Sequence, residues 1–280
     1  MSTKTKTKRT DYGALLKDIE EFYEDNSIEV VAPTLDAPLH FKPLNVRQLK
    51  SFMSLQVKYE SDELGVAQGL NIVEELGNIL VENCLDKDVD LLNTLTTLDR
   101  DALVIQLRTH TNPEADIQIG EDESITIDLI EVVDRIKGTK FDADIMSTTK
   151  TLEYKNRTIS LELQIPSLQR DIKISKIFAD NMKKTIKNKD EFEEHAGDIF
   201  AQIFFIELFK YINRITFTSK GSAEQIEFSN TKLFPQNVEF LESLPTQIIT
   251  QITSYVKEVK EYRDSILYYL DKDGKKVPLD

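Results

Sequence analysis

Cysteine occurs once in the 280 residues, at Cys84. That excludes an intramolecular disulfide and a cysteine-built metal site, and it suits a reducing compartment. Histidine is nearly as scarce. His40, His110 and His195 stand in unrelated contexts, and none has a partner at the HExxH spacing that puts two ligands on one helix face. Neither GxGxxG nor GxxxxGK(S/T) occurs, so the glycine-rich turns that cradle phosphates are missing. Long apolar runs are missing too. The greasiest, Ile199 to Ile212, is broken by Gln202, Glu207 and Lys210 and falls short of the roughly 20 residues a bilayer needs. The basic opening (Lys4, Lys6, Lys8, Arg9) has no apolar segment behind it and does not read as a secretory signal. Positive charge is in deficit: 35 Lys and Arg against 49 Asp and Glu give a net charge of -14. A sequence-independent nucleic-acid binder needs the opposite balance to displace counterions from phosphate.

What is present is the composition of a soluble globular protein, 40% apolar and 30% charged. The chain is organised around a corner at residues 39–53. Leu39 and Phe41 form the apolar face of a short extended piece, and Pro43 fixes φ and biases Lys42 towards extended geometry. Asn45 is a good N-cap for the helix that follows, whose buried stripe is Leu49, Phe52 and Met53.

The rest of the pattern predicts an α+β fold, mostly helical, with an antiparallel β-hairpin region in the middle and small hairpins near both termini. Four stretches are expected: a disordered basic tail (1–11), a helical N-terminal part (12–113), a hairpin region (114–167) and a helical C-terminal part with a terminal hairpin (168–280). An amphipathic helix over 11–24 carries Leu15, Leu16, Ile19, Phe22 and Tyr23. Helices follow at 46–59 and 63–83, where Gly65, Gly69 and Gly77 would let another backbone approach. A third spans 89–107, with Asp99 as an internal restart. Alternating runs at 117–119 and 125–129 flank the acidic tip Glu121-Asp122-Glu123, and a second hairpin turns near Lys155-Asn156. Both are expected in an antiparallel sheet with one wet face. Helices return at 168–187 and 190–214. The second is apolar on nearly every side and must be buried against something. A third hairpin turns at Lys220-Gly221-Ser222, two helices cover 238–262, and the chain closes in a strand–turn–strand around Asp273-Gly274.

No constellation for bond-breaking emerges. Cys84 reads as a small buried hydrophobe. The run Asp271-Lys272-Asp273-Gly274 is like the start of a calcium loop without its closing bidentate glutamate, and reads as a turn. No catalytic residue, cofactor or metal ligand is expected. The candidate contact residues are Phe41, Pro43 and Arg47 at the corner, and Phe200, Phe204, Phe205 and Phe209 on the long apolar helix.

The corner Phe41-Lys42-Pro43-Leu44-Asn45-Val46-Arg47-Gln48-Leu49-Lys50 is followed in order by Asn83-Cys84, Leu95, Leu98-Asp99-Arg100-Asp101 and Leu107-Arg108. Later come Phe240-Leu241-Glu242-Ser243-Leu244-Pro245, with Ile249, Ile252 and Tyr255 behind it, and a closing Ile266-Leu267-Tyr268-Tyr269-Leu270 with Gly274. In that order these motifs resemble the baseplate hub subunit and hub-assembly proteins of T-even-type contractile-tailed bacteriophages, from about Ile28 onwards. The corner is more distantly similar to phage tail assembly chaperones.

The resemblance implies a non-enzymatic tail protein of the baseplate central hub, subunit or assembly factor. Its partners would be other hub or tail proteins, or a second copy of itself. It would act in the host cytoplasm during assembly and belong to the virion if it stays. Members of that family often carry two cysteines at the final hairpin; here other residues stand there, so no metal is expected in that turn. A chaperone holding tape-measure helices is the alternative. Two further readings are a host-takeover or nucleic-acid-associated protein working through the basic tail, and a hydrolase with a carboxylate–metal site at Glu121 to Glu123.

Overall fold

The computed structural model describes residues 12–50, 65–118, 124–154, 156–185, 189–228, 234–271 and 273–279. The basic tail, residues 51–59 of the expected helix behind the corner (with Phe52 and Met53) and the acidic tip Glu121 to Glu123 lie outside the described residues. The architecture is α+β, with many helices and antiparallel strands gathered into small sheets.

A first helix, α1 (Tyr12–Asp25), precedes the hairpin of β1 (Ile28–Val30) and β2 (Leu39–Phe41). Ile28 pairs with Phe41 and Val30 with Leu39, so all four point inward while Glu29 and His40 face out. At the corner the Asn45 side chain accepts from the Gln48 amide (3.0 Å) and the Gln48 side chain accepts from the Asn45 amide (3.1 Å). This reciprocal cap starts α2, described over 46–50. β2 is pinned to the end of α3 (Gly65–Asn83), since Lys42 N donates to Asn83 O and Leu85 N to His40 O, both at 2.8 Å.

The segment expected as one helix over 89–107 is two: α4 (Leu91–Thr94) and α5 (Thr97–Thr111). Thr96 is the N-cap of α5, and Asp99 sits one turn in, reaching back to the Thr96 amide at 2.8 Å. Asp99 therefore marks the restart from its third position. It also accepts from Thr34 N (2.8 Å) and Thr34 Oγ1 (2.6 Å). Two turns on, the Gln106 amide pairs with Val31 like a neighbouring strand, donating to its carbonyl (2.8 Å) and accepting from its N–H (2.9 Å). Asp99 and Gln106 share a face of α5 and together hold the β1–β2 loop.

β3 (Glu114–Gln118) and β4 (Ser124–Asp128) form their own hairpin. An unforeseen helix, α6 (Leu129–Gly138), follows, capped by Asp128, and then the short α7 (Ala143–Met146). The second hairpin is β5 (Ser147–Tyr154) with β6 (Arg157–Gln164). After α8 (Leu168–Thr185) and α9 (Lys189–Tyr211) comes the third, β7 (Ile212–Ser219) with β8 (Ser222–Glu227), turned by Gly221 at φ 88°. β6 pairs with β7, so these two hairpins make one antiparallel sheet in the order β5-β6-β7-β8, and β3–β4 stays separate. Ile159, Leu161, Leu163 and Ile215 line the buried face. On the other, Arg214 bridges Glu162 (3.4 Å) and Glu227 (2.5 Å). The chain ends in α10 (Phe234–Glu242), α11 (Thr246–Ile266) and the hairpin β9 (Tyr268–Leu270) and β10 (Lys276–Pro278), turned by Gly274 at φ 75°.

The main core lies where α8, α9, α10 and α11 cover the four-stranded sheet, and a second joins β1–β2 to α3, α4 and α5. Leu168 at the start of α8 belongs to the second core while Ile174 and Phe178 belong to the first. The two halves of the chain are thus joined along α8. Gly77 of α3 faces α8 closely: a Cβ there would stand 2.6 Å from Ile172 Cδ1. The close approach expected at that glycine is thus made by side chains, of Ile172 and Leu92, and not by another backbone.

Candidate docking surface

The long apolar helix is the natural place to look for a contact surface. Ile199, Ile206, Leu208 and Phe209 of α9 enter the main core, where Phe209 and Phe228 lie 5.3 Å apart and Tyr211 and Tyr255 6.2 Å. The all-round apolar composition is therefore largely spent on α8, α10, α11 and the sheet, as a helix without a polar face requires. One stripe is left in water. Gly197, Phe200, Ala201 and Phe204 are all exposed, Phe200 at 58% and Phe204 at 43%. They recur at i, i+3, i+4 and i+7, a single line along the helix.

Two of the seven expected contact residues have no area to offer. Phe41 and Phe209 are fully buried, Phe41 because β2 turns its odd positions inward and Phe209 because it faces the sheet. Phe205 and Pro43 are half-buried, and Arg47 is exposed beside the exposed Val46. The surface consists of Phe200 and Phe204, with Phe205 packed edge-on against Phe204 at 5.5 Å.

A charged network that sequence reading missed joins α5, α8, α9 and α11. Asp171 of α8 takes the Lys210 ammonium at 2.7 Å and the Arg100 guanidinium at 2.8 Å, and Lys210 also meets Glu207 at 2.9 Å. Asp101 extends the chain to Arg100 (2.9 Å) and to Arg263 of α11 (2.8 Å). Burial pushes the Asp171 carboxyl up, but Lys210 and Arg100 outweigh it and hold the group below the usual carboxylate range. Burial pulls Lys210 down, and Asp171 and Glu207 more than restore it. Next to Asp171, the Arg170 guanidinium donates to the carbonyls of Phe209 (2.9 Å), Lys210 (2.7 Å) and Ile212 (2.5 Å). Burial pulls it down to about 10, so it stays charged at neutral pH. These bonds satisfy carbonyls that a helix end leaves orphaned, and they let α9 pass into β7 without a loop.

The signs give a pH dependence. A depressed carboxylate contributes stability above its unfolded pKa of about 3.9, lost as pH falls through the folded value. A raised lysine contributes below about 10.5, lost as pH rises past its folded value. Thermal unfolding should therefore show a plateau through neutrality and a fall below about pH 4. The fall should be shallower in Asp171→Asn, and identical acid profiles for the two proteins would remove Asp171 as its cause.

His40 Nδ1 lies 3.4 Å from Asp86, and His110 lines a small cleft with Glu29 and Lys137. The side chain of His195 lies outside the described ones. Cys84 is buried, which pushes its thiol up and away from the reactive thiolate. The Asp271 carboxylate accepts from the amides of Asp273 (3.0 Å) and Lys275 (2.8 Å), as a turn residue does. Among the described residues no group of three or more His, Cys, Asp or Glu is placed to hold a metal ion, and no helix is long and apolar enough to cross a membrane. Two clefts, of about 140 and 160 Å³, fall below the roughly 300 Å³ at which ligand pockets begin.

Comparison with family models, with curated proteins and with solved structures finds no match.

Proposed function

We propose that this chain is a bacteriophage tail protein, a subunit or assembly factor of the baseplate central hub, working through protein–protein contacts and not through catalysis. The observation that carries the proposal is the stripe Gly197, Phe200, Ala201 and Phe204, apolar and exposed on a helix whose Ile199, Ile206, Leu208 and Phe209 enter the core. Exposed aromatic side chains on a rigid element are the usual anchors of an interface. Two small residues beside them let a partner helix come close. The order of motifs similar to the T-even hub proteins supports the assignment. Phe41 to Lys50 is the capped corner, Phe240 to Pro245 joins α10 to α11, and Ile266 to Leu270 leads into the last hairpin. A chaperone role in the host cytoplasm uses the same stripe to hold an apolar helix before assembly.

Co-expression of the full chain with individual tail and hub proteins, followed by affinity purification, tests this. One or more should co-purify with the native chain, and Phe200→Ser/Phe204→Ser should reduce recovery at least tenfold while the protein still folds. Failure of every tail protein to co-purify would overturn the proposal.

A further inference from the structure

The helix α1 leaves two large apolar side chains exposed. Ile19 and Phe22 are 49% and 61% exposed, with Tyr23 edge-on to Phe22 at 6.0 Å. Among the described residues, none of α1 enters the main core, the second core or either of two smaller apolar clusters, one around Val132, Ile136 and Ile266 and one around Ile127, Leu129 and Tyr269. At its C-terminal end Glu24 meets Lys42 at 3.7 Å. Helices of about 12–15 residues barely hold in water, and in proteins they persist by burying an apolar face. Ile19 and Phe22, three residues apart, are an exposed part of such a face, and among the described residues neither belongs to a core.

Charge selects what covers it. Residues 12–25 hold Lys17 against Asp18, Glu20, Glu21, Glu24 and Asp25. Lys17 is engaged by Glu21 at 3.5 Å, and Glu21, Glu24 and Asp25 are exposed. A second copy of a chain with net charge -14 would bring like charge against this helix, and so would an anionic lipid surface. An apolar groove rimmed by cations complements both its face and its flanks. We propose that α1 is a docking arm for a protein presenting an apolar groove edged with lysine and arginine. This rests on the contact-based function above and adds a second point of attachment to the α9 stripe.

The test uses the full chain and the tail proteins that co-purify with it. Ile19→Ser/Phe22→Ser is expected to lower recovery at least tenfold with little shift of the melting temperature, because both side chains are about half or more exposed. Glu21→Lys/Glu24→Lys and a rise from about 50 to 500 mM salt should each lower it severalfold. Undiminished recovery of Ile19→Ser/Phe22→Ser would overturn the arm and leave the hub reading standing, whereas no recovery of the native chain with any tail protein would overturn both. Sedimentation of the purified chain as a dimer that Phe22→Ser dissociates would make a second copy the occupant, against the proposal. Loss of recovery on deleting residues 2–10 alone would assign the contact to the basic tail, also against it.

Discussion

Asp171→Asn is expected to lower the unfolding free energy by about 3–5 kcal/mol, because it strands buried cations. The carboxylate is 5% exposed and receives Lys210, itself 9% exposed, and Arg100 at hydrogen-bonding distance. Asparagine keeps the shape and removes the charge. Glu207 remains beside Lys210 but is half in water, and Asp101 remains beside Arg100, so the lower end of that range is the nearer expectation. For a chain of this size each kcal/mol moves the melting temperature by about 2–4 °C, a drop on the order of 10 °C. Calorimetry of the two proteins at pH 7 measures it. Replacing both members, Asp171→Leu with Lys210→Met, should recover much of the loss, since a buried pair exchanged for apolar groups costs little. A single-variant loss below about 1 kcal/mol would mean the network does not hold α5, α8 and α9 together.

Phe41→Ala is the second large effect, about 3–5 kcal/mol from lost burial and the cavity left behind. Phe41 is fully buried opposite Ile28, in the core that includes Leu80, Leu95, Leu103 and Leu107. Protein that still folds should bind tail partners as the native chain does, because Phe41 offers them no surface. Phe200→Ser/Phe204→Ser should do the reverse, with folding kept and binding lost. The pair separates what the corner does from what the α9 stripe does. A stable Phe41→Ala protein that fails to bind would place the corner in the interface after all.

The parts of this fold legible in the sequence are those set by neighbours in the chain. The corner at Pro43, the Asn45 cap and the turns at Gly221 and Gly274 depend on residues a few positions apart, so composition and spacing reveal them. The parts that escaped depend on distant partners. Asp99 and Gln106 lie on a buried face and look misplaced until Thr34 and Val31, 65 and 75 residues away, arrive to use them. The sequence pattern carries α9 on to 214 because Tyr211, Ile212 and Ile215 suit helix and strand alike. Arg170, about 40 residues upstream, takes the last carbonyls and decides for strand at Ile212. The merging of two hairpins into one sheet needs β6 and β7 to meet across both α8 and α9, which no local period announces. α6 was legible and overlooked: Leu129, Val132 and Ile136 recur at helical spacing behind an Asp128 cap. In the candidate surface, the apolar character of α9 could be read directly. Which four residues it leaves in water could not, because that depends on what covers the other sides.

Hydrogen exchange of the full chain, alone and with a co-purified tail or hub protein bound, probes the central claim most directly. New protection confined to 197–204 of α9 and to α1, with the buried network unchanged, is the expected result. Protection absent from both, or centred instead on the clefts beside His110 and Tyr268, would contradict a protein that works by offering these two apolar faces.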